Sequence, residues 1–177
     1  AEIMARSGER IGCPGVMEPV AARNAAERLA HALVHADFTE SLPDTRMIKG
    51  SSDIVLFGDF LDPVGEVLET LRPMSQRGLH GHVVEVSDPA EELFPYTGRI
   101  EFSDPATGAK FLSGRSETLR DEYRTAYFAR RESLRDGLQH MGWNFIAHNT
   151  GRPASEALVA IHMYLSGQPG RVEKGGH

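Results

Sequence analysis

Two aspartates, Asp59 and Asp62, stand close together near the start of the middle third of the chain. They follow an apolar run from Ile54 to Phe57, so Asp59 is predicted to lie at the carboxyl end of a buried strand. Ligands of open α/β sheets bind at that end of the strands. A carboxylate there suits a divalent cation such as Mg²⁺ or the transfer of a phosphoryl group. Asp62 directly precedes Pro63, and we predict that it caps a helix whose first residue is this proline.

The common phosphate-handling motifs are missing from the sequence. The phosphate cradle G-x-x-x-x-G-K-[ST] does not occur, nor does G-x-G-x-x-G, so an ATPase is not predicted. A cysteine phosphatase would place an arginine six residues after its nucleophile, but that position relative to Cys13 is Pro19. We therefore interpret Cys13 as a small core residue rather than a nucleophile.

A second phosphate hypothesis uses Asp59 itself. Phosphotransferases of the haloacid dehalogenase type carry two aspartates spaced as D-x-D, whereas two residues separate Asp59 from Asp62. A Mg²⁺-dependent phosphohydrolase or phosphotransferase that uses Asp59 stays open as the alternative to a binding protein. Because Mg²⁺ needs several oxygen ligands, Asp59 alone would not hold the ion.

The histidines form two pairs with the spacing of metal ligands. His31 and His35 stand four residues apart, but the glutamate that a metalloprotease needs after the first histidine is Ala32. His80 and His82 share one face of a predicted strand, and the sequence supplies no third ligand beside them. We interpret both pairs as surface histidines.

Composition and charge exclude several classes of protein. The net charge of -6 argues against a broad surface for nucleic acid. The single cysteine allows no internal disulfide, which indicates a cytoplasmic protein. No stretch approaches the roughly 20 apolar residues of a membrane span, and residues 1–8 lack the apolar region that a signal peptide would need, so we expect none. The basic residues of the predicted long helix, Arg130, Arg131 and Arg135, lie beside Glu132 and Asp136. We expect them to form a solvated helix face.

The elements that position these residues alternate between strands and helices. We predict strands at residues 10–13, 53–57, 82–87 and 143–147. We predict helices at residues 18–36, 63–77, 116–141 and 153–166, and a small β-hairpin formed by 99–103 and 109–112. This order predicts one α/β domain over residues 1–167, a doubly wound and mainly parallel sheet with helices on both faces. Residues 168–177 are expected to form a flexible tail.

The most specific stretch is "VSDPAEELFPYTGRIEFSDPATG", residues 86–108. With "GERIG" near the start and "SDIVLFGDFLDP", it resembles the bacterial domain of unknown function 58 family, whose members are similar to von Willebrand factor A domains. The resemblance extends over almost the whole chain, to about Gly167. It implies the same doubly wound sheet, with the hairpin as an insertion after the strand at residues 83–86.

The resemblance also implies a metal-ion-dependent adhesion site. Its ligands are a D-x-S-x-S on the central strand, a threonine from a later loop and an aspartate on the fourth strand, which Asp59 matches. Thr45 is a weak candidate for the threonine. The D-x-S-x-S would precede residue 1, so we expect the N-terminal central strand to be missing from this chain and the Mg²⁺ site to be incomplete. The sheet edge left open would invite pairing between copies, that is, a homo-oligomer.

Family members are commonly encoded beside MoxR-type AAA+ ATPases. The resemblance therefore implies a non-enzymatic, protein-binding adaptor that works with such an ATPase, and it implies no catalytic activity. Two other hypotheses remain open: the Asp59-dependent phosphohydrolase, and a structural fragment without a site of its own.

Overall fold

The computed structural model describes residues 1–37, 48, 52–103, 108–113 and 116–166. The chain divides into two compact units, Ala1–Ser52 and Asp53–His177. The candidate ligand Thr45 and the predicted tail at 168–177 lie outside the described residues. That the two units form one domain over residues 1–167 stays a prediction.

The N-terminal unit is built from two helices and a hairpin. These elements are α1 (Glu2–Arg6), β1 (Ile11–Cys13), β2 (Met17–Val20) and α2 (Ala25–Val34). The prediction of one helix over residues 18–36 is wrong for its first turns, because this stretch starts as strand β2. The chain reverses at Gly15, whose φ is +75°, so that Met17 pairs with Cys13 and Val20 with Ile11. Pro19 is tolerated there because a two-stranded ribbon consists of edge strands only.

The second unit contains the parallel sheet. Its elements are β3 (Asp53–Gly58), α3 (Val64–Gln76), β4 (His80–Ser87), α4 (Pro89–Leu93), β5 (Ile100–Ser103), β6 (Lys110–Ser113), α5 (Ser116–His140), β7 (Asn144–Asn149) and α6 (Ala154–Ser166). Strands β3, β4 and β7 run parallel, with β4 in the middle. The mixed α/β class predicted from the sequence is confirmed. Among the described residues the sheet has three strands, and the von Willebrand factor A topology with its missing strand stays a prediction.

Helices cover both faces of this sheet because side chains alternate along β4. Val84 faces α6 and packs there against Ala157 and Ile161. Glu85, one residue later, faces α5 and contacts its arginines. Helices α3 and α5 lie on that second face, where four side chains have no exposed surface, namely Leu71, Met74, Leu134 and Leu138.

Two glycines permit the closest contacts on the α5 face. A Cβ atom on Gly81 would lie 1.9 Å from the indole of Trp143, so only glycine leaves room for that ring. A Cβ atom on Gly137, in α5, would lie 2.3 Å from the side chain of Leu68 in α3. These two positions fix how near the indole lies to β4 and how near α5 lies to α3.

Strand β3 differs from its prediction as a buried strand. It forms one edge of the sheet, and Phe57, near its end, keeps 61% of its surface exposed. The predicted cap of the next helix is also wrong, because α3 begins at Val64 with Pro63 as its N-cap. Asp62 therefore lies one residue before the N-cap position. The helix continues through Pro73 and stops before Gly78, whose φ is +78°.

The remaining elements lie close to their predicted positions. Strands β5 and β6 pair antiparallel; whether they are an insertion in a von Willebrand factor A fold stays a prediction. Helix α5 ends at His140, one residue before the predicted end. Within the part of the chain that the structure describes, no helix has both the length and the apolar character needed to span a membrane.

Candidate functional site

Asp59 lies directly after β3 and is exposed. Its Oδ1 accepts a hydrogen bond from the backbone N–H of Leu61 at 3.3 Å, the pattern by which aspartate stabilises a turn. Phe60, between them, is buried and adopts the left-handed conformation, with a φ of +48°. The structure therefore gives Asp59 a role in a strained turn at the carboxyl end of the sheet.

A metal ion at Asp59 would need further ligands from neighbouring residues. Among the described residues, no group of three or more His, Cys, Asp or Glu side chains could hold a metal ion. Asp59 brings one carboxylate, and a hard divalent cation needs several oxygen ligands. The described residues do not by themselves fit a Mg²⁺ ion, so a metal-ligand role for Asp59 stays a prediction.

A buried polar cluster lies beside this turn, on the α5 face of the sheet. We call it the arginine cluster, and its members are Glu85, Ser87, Glu92, Tyr127, Arg130 and Arg131. They come from β4, α4 and α5, at or near the carboxyl end of β4. Parallel sheets bind ligands at that end, which makes the cluster the centre of the candidate site.

Glu85 holds the two arginines of the cluster. Its side chain is fully buried, Oε1 lies 2.5 Å from Nη2 of Arg130, and Oε2 lies 2.5 Å from Nε of Arg131. Both carboxylate oxygens are therefore used in charge-assisted hydrogen bonds. A carboxylate whose two oxygens are both engaged in this way is poorly placed to take a proton from a ligand.

Arg131 connects Glu85 to the other polar groups. Its Nη2 donates to Oε1 of Glu92 at 2.7 Å and to the hydroxyl of Tyr127 at 2.9 Å. Burial alone would raise the pKa of Glu92, but hydrogen bonds from Arg131 and Ser87 outweigh it and hold that pKa below its usual value. Burial raises the pKa of Tyr127. The cluster thus combines two arginines and two glutamates with the hydroxyl groups of Ser87 and Tyr127.

Helix α4 places Glu92 against Arg131. Asp88 is its N-cap: Oδ1 accepts from the backbone N–H of Ala90 at 2.7 Å, and Glu91 completes a capping box. Pro89 occupies the first helical position, where a missing N–H costs nothing. The "SDPAEE" stretch therefore turns the chain sharply at the end of β4 and returns Glu92 to the cluster.

Arg130 joins the cluster to the turn at Asp59. Its Nη1 donates to the backbone oxygen of Phe60, the residue with the left-handed backbone, while its Nη2 binds Glu85. The same guanidinium lies 5.6 Å from the ring centre of Tyr127. Arg130 thereby ties the end of β3 to the end of β4.

The prediction that these arginines form a solvated helix face is wrong. Arg131 is 7% exposed, and it lies four residues after Tyr127 and three before Leu134, on the buried stripe of α5. The sequence indicates the burial of Arg131 only through Glu85, a carboxylate inside the apolar strand "HVVEVS". A buried carboxylate requires a cation beside it. Arg135 is the member that behaves as predicted, since it pairs with Glu132 near the surface.

A cavity of about 370 Å³ adjoins the cluster on the side of β7. Its lining residues are Glu92, Arg131, Ala147, Asn149, Gly151 and Arg152. They come from the end of α4, the middle of α5, the end of β7 and the turn before α6. No residue of this cavity was predicted to be functional.

Neither the predicted histidine pairs nor Cys13 contribute to the lining of this cavity. His31 and His35 are exposed neighbours, with ring centres 4.8 Å apart. His82 is not the surface histidine that was predicted: it is fully buried on the α6 face, while His80 is exposed. Cys13 is half-buried in the N-terminal unit, and burial raises the pKa of its thiol, so the reactive thiolate is disfavoured.

Comparison with models of protein families shows which family this chain belongs to. The model of the family described as "Protein of unknown function DUF58" matches residues 19–133, more than half of the chain. The chain belongs to this family. The resemblance inferred from residues 86–108 is thereby confirmed, whereas the likeness to von Willebrand factor A domains stays a prediction. The family description names no activity, and no curated protein matches the sequence.

Solved structures provide distant likenesses. One is the conserved hypothetical protein BatB from Bacteroides thetaiotaomicron, with 8% identity and a TM-score of 0.43 over 87% of this chain and 74% of that one. Another is an uncharacterized membrane spanning protein from Vibrio fischeri, with 11% identity and a TM-score of 0.31. That match covers 86% of this chain and 58% of the other.

Proposed function

We propose that this chain is a non-enzymatic protein-binding module that receives an extended segment of a partner along β3. One observation carries the proposal. Within the described residues no strand pairs with the outer edge of β3, and the apolar side chain of Phe57 on that strand is 61% exposed. An unpaired edge of this kind is a template for a further strand.

The other edge of the sheet is less suited to this role. Strand β7 carries polar side chains at Asn144, His148 and Asn149, and the guanidinium of Arg135 lies 5.1 Å from the ring centre of Phe145. Strand β3 is apolar from residue 54 to residue 57. Main-chain hydrogen bonds would give affinity at either edge, but only β3 adds an exposed aromatic side chain as an anchor.

The absence of catalysis is supported by the state of the cluster. Both oxygens of Glu85 bind arginines, and Oε1 of Glu92 accepts from Arg131 and Ser87. A general base needs a free lone pair and a pKa near the working pH. Both oxygens of Glu85 are engaged, and Glu92 has a pKa below its usual value, so neither is a good candidate for a general base. No observation in the described residues favours the alternative, a phosphohydrolase that uses Asp59.

The partner that we propose is a MoxR-type AAA+ ATPase, in the cytoplasm. This part of the proposal rests on the family resemblance and on the net charge of -6, which disfavours nucleic acid as the partner. Assistance by Mg²⁺ stays a prediction for Asp59 and enters no step of the proposal. Self-association is the competing occupant of the same edge, because two copies of β3 would pair equally well.

Co-purification with the MoxR-type ATPase encoded in the same genome tests the proposal. Phe57→Lys places a charge on the edge and should weaken the complex by roughly tenfold or more, as loss of an aromatic anchor does. Leu93→Lys is the matched control, since Leu93 has the same exposed fraction, 61%, but lies on α4. Failure to form a complex, or equal weakening by the two variants, would contradict the proposal. A homodimer that excludes the ATPase would replace it with self-association.

A further inference from the structure

The cavity beside the arginine cluster has the size of a small-ligand site. Its volume of about 370 Å³ lies at the lower end of the range of roughly 300–1,000 Å³ for ligand sites. It lies at the carboxyl end of β7, where the chain turns into α6. None of its lining residues belongs to β3, so what it binds is independent of the proposed edge-strand interaction.

Arg131 presents a fixed guanidinium to this cavity. The residue is 7% exposed, Nε is held by Glu85, and Nη2 is held by Glu92. For Nη1 the described part of the chain supplies no hydrogen-bond partner. Because the side chain is already ordered by its other bonds, a ligand that binds Nη1 would lose little free energy to the ordering of this arginine.

Two further positive features lie in the turn between β7 and α6. Arg152 lines the cavity, and its Nη2 lies 2.5 Å from Oε2 of Glu156, one turn along the helix. The 13-residue helix α6 begins at Ala154, so its first N–H groups and the positive end of its dipole are close by. Asn149 fixes the turn, because its Oδ1 accepts from the N–H of Gly151 at 2.9 Å.

The charges around the cavity select the kind of anion. Arg131, Arg152 and Glu92 line it. Arg131 also pairs with Glu85 and Arg152 with Glu156, so the cavity has no surplus of positive charge. A phosphate dianion would therefore bring two negative charges close to Glu92 without a surplus positive charge to compensate them. A carboxylate brings one charge, and its planar pair of oxygens matches the fork of a guanidinium.

We infer that this cavity binds a single carboxylate group, held by Arg131 and Arg152 at the N-terminus of α6. The group comes either from a free small carboxylic acid or from an acidic side chain of a polypeptide. These two sources share the same chemistry at the cavity, and they differ in whether the acid alone is sufficient.

Titration of the ¹⁵N-labelled chain, followed by NMR, tests the inference. The probes are acetate, an acetylated and amidated Gly-Glu-Gly tripeptide, its Gly-Gln-Gly counterpart, and inorganic phosphate. We expect the backbone amide signals of Asn149, Gly151 and Arg152 to shift with a carboxylate probe and not with the glutamine peptide. Binding of acetate and the peptide assigns the site to free acids as well as to polypeptides, and binding of the peptide alone assigns it to polypeptides.

Arg152→Gln is the informative variant, and Arg6→Gln is its control. Each arginine forms an i, i+4 pair with an exposed glutamate and each change removes one charge, but Arg6 lies on α1 in the N-terminal unit. Arg152→Gln should weaken carboxylate binding roughly fivefold, as the loss of one partly exposed charge-assisted contact does, and Arg6→Gln should leave it unchanged. The inference is overturned if no carboxylate probe shifts these signals, if phosphate binds more tightly than both carboxylates, or if the two variants weaken binding equally.

Discussion

Glu85 on β4 and Arg131 on α5 form a buried ion pair, with 2.5 Å between Oε2 and Nε. The carboxylate side chain is 1% exposed and the guanidinium side chain 8%. Since Arg130 binds the other oxygen of the same carboxylate, one glutamate joins the middle strand of the sheet to two successive residues of the longest helix. This contact organises the carboxyl end of the sheet.

Removal of the Glu85 charge should destabilise the protein strongly. Glu85→Gln leaves Arg130 and Arg131 without their common anion in a buried site, and we expect the free energy of unfolding to fall by about 3 kcal/mol. Glu132→Gln breaks an exposed pair with Arg135 and should cost less than about 0.5 kcal/mol. Urea unfolding followed by circular dichroism measures both. Equal losses in the free energy of unfolding would contradict a larger contribution from the buried pair.

A methyl group at Gly81 should displace the indole of Trp143. The Cβ of Gly81→Ala would lie 1.9 Å from ring atoms, and we expect a loss of about 2–3 kcal/mol from this overpacking. The indole N–H donates to the backbone oxygen of Leu79 at 3.1 Å. Because Trp143 is the only tryptophan, its fluorescence maximum should shift at the same time.

Gly65→Ala is the control for that change. A Cβ on Gly65, in the first turn of α3, would have no atom within 4 Å. Alanine favours a helix over glycine, so stability should rise by up to about 1 kcal/mol and the fluorescence should stay the same. An unchanged emission spectrum in Gly81→Ala would contradict the observed packing of the indole.

His82 should make stability depend on pH. Burial lowers its pKa below the ordinary 6.5, and the nearby carboxylate of Asp53 opposes this in part. Between 6.5 and the lower folded-state pKa, the unfolded chain binds a proton that the folded chain does not. The stability that neutral His82 contributes is therefore complete above pH 6.5 and is lost as the pH falls through the folded-state pKa.

Substitution of His82 provides the test. The ring faces Asp53, Asn144 and Tyr164, and His80 is the other titratable group that acts on it. His82→Gln should flatten the fall in unfolding free energy between pH 7.5 and 5.5 by up to about 1 kcal/mol, since one pKa unit corresponds to roughly 1.4 kcal/mol. His140→Gln, at an exposed position of α5, should leave the slope as it is. A slope that survives in His82→Gln would assign the pH dependence to other groups.

Asp59 distinguishes the binding module from the phosphohydrolase. Asparagine keeps an Oδ1 that can accept from Leu61, so Asp59→Asn should preserve stability, whereas Asp59→Ala should cost about 0.5–1 kcal/mol. With Mg²⁺ and a panel of phosphoesters we expect no turnover by the unmodified chain. Turnover that Asp59→Asn abolishes would overturn the proposed function in favour of the enzyme.

Much of the fold could be predicted because its signals are local. The apolar runs before Ser87 and after Gly142 predict strands, and the periodic apolar residues between 119 and 141 predict the long helix. The prediction was wrong where one local pattern is compatible with both a helix and a strand. Residues 18–36 are rich in alanine and resemble one helix, but the turn at Gly15 pairs residues 17–20 with β1 instead.

The candidate site could be predicted only in part. Asp59 was predicted because a carboxylate after an apolar run is a local pattern, and its role as a ligand stays a prediction. Arg131 was missed because charged residues surround it in sequence. Its burial depends on Glu85, 46 residues away. The cavity was out of reach for the same reason, since α4, α5 and the turn after β7 become neighbours only when the sheet has formed.

Backbone hydrogen exchange of β3 tests the central claim most directly. The full chain is compared with and without the purified MoxR-type ATPase, and α3 serves as the internal reference because its amides are already bonded within the helix. If β3 receives a strand from the partner, exchange at residues 53–58 should slow when the ATPase is added, and exchange in α3 should not change. A complex in which exchange at residues 53–58 is the same as in the free chain would contradict binding at this edge.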